Sequence, residues 1–99
     1  MPEMNHIKSD TAYFVSDGLA WRNVDSDVFV FKPGGSLHVL EGPVAQLLWC
    51  TLDKKACSPD QLTEVVVQNF NVGPQDAAQD VAEFFGVLAK QGLIIANHP

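Results

Sequence analysis

The sequence predicts an α+β domain, a three-stranded antiparallel meander followed by three helices. Three observations carry that expectation. Between residues 19 and 40, three short runs rich in β-branched and aromatic residues are separated by tight polar or Pro-Gly links. Beyond Gly42 the apolar spacing lengthens to a helical period, and Pro43, Pro59 and Pro74 each stand at a helix-opening position. The composition, 46% apolar and only 18% charged over 99 residues, is that of one well-packed domain.

Residues 1–18 read as an N-terminal arm, polar and aperiodic except for Ala12-Tyr13-Phe14-Val15. That tetrad is expected as a short strand or a segment packed on the domain, with Asp17-Gly18 as the turn after it. The domain itself is expected over residues 19–95. Leu19 to Val24 alternates, with Leu19 and Trp21 on one face and Ala20 and Arg22 on the other. Asp25-Ser26-Asp27 is a tight polar link. Val28-Phe29-Val30-Phe31 is large on both faces, which fits a central strand. Lys32-Pro33-Gly34-Gly35 has Pro then Gly where a type II turn wants them. Ser36-Leu37-His38-Val39-Leu40 returns as the third strand, with Leu37 and Val39 sharing a face. Links this short place the third strand at a sheet edge, where backbone N–H and C=O groups lack partners. No Lys or Pro inside it discourages a further strand from pairing there.

Gly42-Pro43 opens the first helix, with Val44, Leu47, Leu48 and Cys50 to Leu52 on its apolar side and Trp49 near the same surface. Ser58-Pro59-Asp60-Gln61 is a capping-box pattern for the second, which runs to about Phe70 with Leu62, Val65, Val66 and Phe70 inward. The third helix spans Gln75 to Gly92 and has the richest pattern. Ala77, Val81, Phe84 and Leu88 fall on one line along it; Ala78, Ala82, Phe85 and Ala89 fall on a second, about 100° round. Asp76, Gln79, Asp80, Glu83 and Lys90 share the remaining arc. Two adjacent apolar lines suit a helix that packs on the core and also walls a groove. A helix whose whole apolar face is core gives the same pattern. On the groove reading Phe84 is the more deeply buried ring, and Phe85 leans toward the third strand. Gly92 is a helix C-cap, Leu93-Ile94-Ile95 a short apolar end, and residues 96–99 a tail.

Charge and motifs exclude several function classes. Six Lys and Arg stand against twelve Asp and Glu, a net charge of −6, and the only adjacent bases are Lys54-Lys55. The basic footprint of a nucleic-acid binder is missing. Lys32 to Ser36 is glycine-rich without P-loop spacing, and neither Gly-x-Ser-x-Gly nor His-Glu-x-x-His occurs. Cys50 and Cys57 are spaced too widely for a zinc knuckle and are too few for a disulfide scaffold. No catalytic residue, metal or cofactor is therefore expected. His38, mid-strand opposite Leu37 and Val39, reads as an ordinary exposed or hydrogen-bonded histidine. No apolar run approaches the ~20 residues of a membrane span, and the opening MPEMNHIKSD lacks a secretory pattern. A soluble, cytoplasmic protein is expected, with neither nucleic acid nor membrane as partner.

The ordered strings Trp21-Arg22, Val28 to Phe31, Gly35 to Leu40, Leu48-Trp49 with Leu52, and Ser58 with Leu62 resemble the PqqD-like family. The ending Asp80-Val81-Ala82-Glu83-Phe84-Phe85, Leu88, Gln91-Gly92-Leu93-Ile94 is similar to that family's closing signature. Trp21 with the Gly-Ser-x-His-x-Leu string looks most like the relatives found beside an HPr-kinase-related protein, the HPr-rel-A system. The resemblance covers residues 19 to 95 and implies a winged-helix-like, non-catalytic recognition element for ribosomally made precursor peptides. Such an element holds a leader peptide as an added strand against the third strand, over the third helix, and presents it to a modifying enzyme. By position the backbone contacts would be Ser36, Leu37, His38, Val39 and Leu40, and the side-chain contacts Val81, Phe84, Phe85 and Leu88. The chain departs from the pattern where the acidic Glu41 precedes Gly42-Pro43, which leaves the cap of the first helix open.

The residues alone lead to the same place. An undefended edge strand beside a doubly apolar helix is the geometry of β-augmentation, in which backbone pairing fixes register and alternate side chains enter a groove. Two other classes compete. A structural adaptor or homodimerisation domain would use the same apolar groove, and a winged-helix nucleic-acid binder would need the basic face that this chain lacks.

Overall fold

The computed structural model describes residues 7–97, so residues 1–6 of the expected arm and 98–99 of the expected tail lie outside the described residues. The expected meander is present. Strands β2 (Ala20–Val24), β3 (Asp27–Phe31) and β4 (Leu37–Leu40) pair antiparallel in the order β2-β3-β4. Helices α1 (Pro43–Lys54), α2 (Pro59–Asn69) and α3 (Pro74–Lys90) follow, each with Pro in its first turn. A second, two-stranded sheet pairs β1 (Tyr13–Val15) with β5 (Ile94–Ala96), so strands from opposite ends of the chain meet. Tyr13, Phe14 and Val15, the last three residues of the apolar tetrad, are thus a strand, and their partner includes Ala96, the first residue of the stretch read as tail.

Register follows from alternation. Val28 faces Leu40 and Val30 faces His38 on the inner side of the sheet, where both valines are fully buried. Phe29 faces Val39 and Phe31 faces Leu37 on the outer side. Helix α1 lies against β3 and is stitched to the β2–β3 hairpin by side chains. Gln46 Nε2 donates to the carbonyls of Asp25 and Asp27 at 3.0 and 3.3 Å, and Trp21 Nε1 donates to Asp53 Oδ1 at 3.3 Å. The open question at the start of α1 has a backbone answer. Gly42 sits at φ 99°, where a side chain would be strained, and its N–H donates to Asp27 Oδ1 at 2.9 Å. That kink turns the chain from β4 into α1 with no side-chain cap. At α2 the capping box forms as its residues predict, with Ser58 Oγ accepting from the Gln61 N–H and Gln61 Oε1 from the Ser58 N–H. Helix α3 ends in a Schellman motif: Leu93 N–H donates to the Leu88 carbonyl, Gly92 N–H to that of Ala89, with Gly92 at φ 73°.

The core joins the inner sheet face to all three helices through Val28, Val30, Leu48, Trp49, Leu52, Leu62, Val66, Val81, Phe85 and Leu88. Trp21 meets Trp49 edge-on, with ring centroids 6.2 Å apart. On α3 the buried line is Ala77, Val81, Phe85 and Leu88, each fully enclosed. The expected order of the two rings is therefore reversed, Phe85 being buried and Phe84 half-buried at the surface. The cause is the β1–β5 sheet. Tyr13 from β1 packs on Phe85 in a tilted pair, with centroids 5.4 Å apart and ring planes at 56°, and so covers the flank expected to open toward the meander.

Candidate functional site

Strand β4 is an edge, and hydrogen-bond parity decides which of its groups are free. The Lys32 N–H donates to the Ser36 carbonyl at 2.9 Å, which makes Lys32 and Ser36 a hydrogen-bonded pair of the antiparallel ladder. Counting by alternate residues, Val30 with His38 and Val28 with Leu40 are also hydrogen-bonded pairs. His38 and Leu40 accordingly direct their backbone groups at β3, while Leu37 and Val39 direct theirs away from the sheet. Their side chains divide the same way. His38 is half-buried and Leu40 buried on the inner face, whereas Leu37 (48% exposed) and Val39 (42%) stand on the outer one.

Beside this edge lies an open groove of about 390 Å³. Val39, Leu40 and Glu41 form one wall and Asp80, Glu83, Phe84 and Val87 of α3 the other. Val44, Ala45 and Leu48 of α1 close its floor. Lys32 fixes the hairpin to the far helix, its Nζ donating to the Gln91 carbonyl at 2.8 Å. A cation at that position also complements the negative end of the α3 dipole. The β3–β4 turn is thereby held against the C-terminus of α3, so β4 and α3 form two tethered walls rather than independent surfaces.

Of the residues expected to form the site, Leu37 and Val39 turn their backbone groups outward and Phe84 lies in the groove, whereas Ser36, His38 and Leu40, expected as backbone contacts too, spend theirs on the pairing with Lys32 and β3. Val81, Phe85 and Leu88 are not brought to it, because they are enclosed in the core. The groove instead uses the opposite flank of α3. Asp80, Glu83, Phe84 and Val87 are spaced i, i+3, i+4 and i+7, one helical face, with Val87 46% exposed. Val87 was the available signal, an apolar residue that falls on neither of the two apolar lines. The floor residues Val44 and Ala45 carried no signal of their own, since they continue the apolar side of α1.

The cysteines lie apart from the groove. Cys57 is buried in an isolated bridge with Tyr13, and burial pushes its thiol above the ordinary value, Lys55 pulling the other way. A protonated, enclosed thiol is a poor nucleophile. Among the described residues, no three His, Cys, Asp or Glu side chains gather closely enough to hold a metal ion.

The family described as Coenzyme PQQ synthesis protein D (PqqD) matches residues 35–94, more than half of the chain. The chain belongs to the PqqD family. The matched span opens just before β4 and closes in β5, so it contains every residue that lines the groove. No curated protein matches this PqqD-family chain at a significant level. Among solved structures it is similar to TbiB1 in complex with the TbiA(beta) leader peptide, with a TM-score of 0.74 and 18% identity. That likeness covers 87% of this chain and 99% of the other. It is also similar to a lasso peptide synthetase B1 complexed with the leader peptide, with a TM-score of 0.70 and 17% identity over 84% and 96% of the two chains. At such identities the shared feature is the fold, and it extends beyond the matched span to most of the chain.

Proposed function

We propose that this chain is a non-catalytic peptide-binding module that captures the leader of a ribosomally made precursor. The leader would add as a strand to β4, between β4 and α3, and be presented there to a modifying enzyme or an HPr-kinase-related partner. The observation that carries this reading is the pairing of free backbone groups on Leu37 and Val39 with an apolar groove directly beside them. An incoming strand gains main-chain hydrogen bonds from the edge, and its alternate side chains enter the groove over Phe84, Val44 and Leu48. Membership of the PqqD family and likeness to two proteins solved with leader peptides support it. The outer sheet face supports presentation, because Phe31, Leu37 and Val39 are exposed and a strand added to β4 would extend that face toward a partner.

Chemical-shift mapping with synthetic leaders encoded beside the gene tests the proposal. Amide shifts should concentrate at residues 37, 39, 41, 84 and 87. Shifts confined to the cleft of Phe14, Leu52 and Asn97, or none with any leader, would refute it. A homodimer built through the same groove would instead raise the apparent mass with concentration and make leader binding compete with self-association.

A further inference from the structure

We infer that the groove selects a cationic segment, one in which basic residues flank the apolar anchors. This inference rests on the strand-addition reading and adds the chemistry of the occupant. The apolar floor and the free strand edge define the site; its charged rim defines what fits. Glu41 from the β4 wall and Asp80 and Glu83 from the α3 wall all border the groove, and no Lys, Arg or His lines it. Lys32, at the turn that leads into β4, is engaged at the Gln91 carbonyl, at the C-terminal end of α3. Asp80 and Glu83, three residues apart on one helix, repel each other, and so do the two walls. Such a rim sits on a chain of net charge −6. A neutral strand would leave that repulsion in place while displacing water from the carboxylates. An acidic strand would add to it. A segment with Lys or Arg at the rim positions would relieve it, since complementary charge sets specificity in a groove whose apolar contacts do not discriminate.

The test uses the full chain and three synthetic peptides of about ten residues, long enough to span an ordinary strand. They share a central Val/Leu pair at alternate, groove-facing positions and differ only in the next groove-facing residue on either side of it, which is Lys, Gln or Glu. Fluorescence anisotropy would be read at low and high salt. The Lys peptide is expected to bind about tenfold more tightly than the Gln peptide, and the Glu peptide more weakly than both. The preference should shrink as salt rises, since these charges are exposed. Two triple variants separate groove charge from overall charge. Glu41→Gln with Asp80→Asn and Glu83→Gln should reduce the preference to within about twofold. Asp10→Asn with Asp17→Asn and Glu64→Gln removes the same charge from exposed positions outside the groove and should leave the preference intact. Equal binding of all three peptides would overturn the inference and leave strand addition standing. A preference that survives in the groove variant would overturn it too. Binding by none of the three would overturn strand addition, and the inference with it.

Discussion

Phe85 is enclosed beneath Tyr13, while its neighbour Phe84 stands at the groove among Val44, Leu48 and Val87. The two rings are only 6.2 Å apart and nearly perpendicular, so one side chain of the pair serves the core and the other the surface. Phe85→Ala removes a ring with no exposed area and should destabilise the domain by ~3–5 kcal/mol. Phe84→Ala removes less buried area and should cost ~1–2 kcal/mol. In peptide binding the order inverts, with Phe84→Ala weakening affinity roughly five- to thirty-fold. Denaturant melts and anisotropy titrations on the same two proteins measure both quantities. Equal destabilisation by the two variants, with normal binding by each, would make Phe84 a core residue and leave the groove without its aromatic wall.

Strand β4 makes a sharper test than any side chain, because its two halves of backbone face different ways. Val39→Pro deletes an N–H that points out of the sheet, a loss an edge strand tolerates. His38→Pro deletes a ladder donor opposite Val30 and should cost ~3 kcal/mol or destroy the fold. The expected result is a folded Val39→Pro whose peptide affinity falls well below that of Val39→Ala, with circular dichroism confirming the strand content. If the proline and alanine variants at residue 39 bind alike, the edge is not a template for an incoming strand. Lys32 belongs to the same element-scale argument, since its bond to Gln91 ties the hairpin to α3 and sets the separation of the two walls.

At the scale of the molecule, the β1–β5 sheet closes the chain on itself. Tyr13 exchanges backbone hydrogen bonds with Cys57 at 2.8 and 2.9 Å, covers Phe85, and accepts the Lys8 N–H at its hydroxyl. Ser16 N–H and Asn97 N–H donate to Leu93 and Ala12 across the same seam. Tyr13→Ala is expected to destabilise the whole domain by ~3–4 kcal/mol, as loss of a buried aromatic ring does. Tyr13→Phe keeps the ring and loses only a hydroxyl contact, at a cost of ~1 kcal/mol. Urea melts followed by tryptophan fluorescence distinguish the two, and a stable Tyr13→Ala protein would mean that the N-terminal strand is an accessory rather than part of the core.

The meander, the three helices, the capping box of α2 and the Gly92 C-cap of α3 were legible in the residues because each depends on neighbours within a few positions. Strand alternation, the Ser58–Gln61 capping box and Pro at three helix openings are local devices, and short links put β4 at an edge without further information. The family resemblance was legible for the same reason, as an ordered set of local strings. Periodicity also fixed the angles between residues along α3, but not the direction in which the helix as a whole is turned. That rotation was set by Tyr13, which reaches Phe85 from the other end of the chain through the pairing of β1 with β5. Alternation likewise assigned side chains of β4 to two faces, yet the facing of its N–H groups was decided by how the turn closes at Lys32 and Ser36. Local pattern was enough to place the meander and the three helices in order, but not the β1–β5 sheet that joins the chain's two ends. Which flank of α3 meets the groove depended on contacts between residues far apart in the chain, and such long-range pairing leaves no mark in the local pattern.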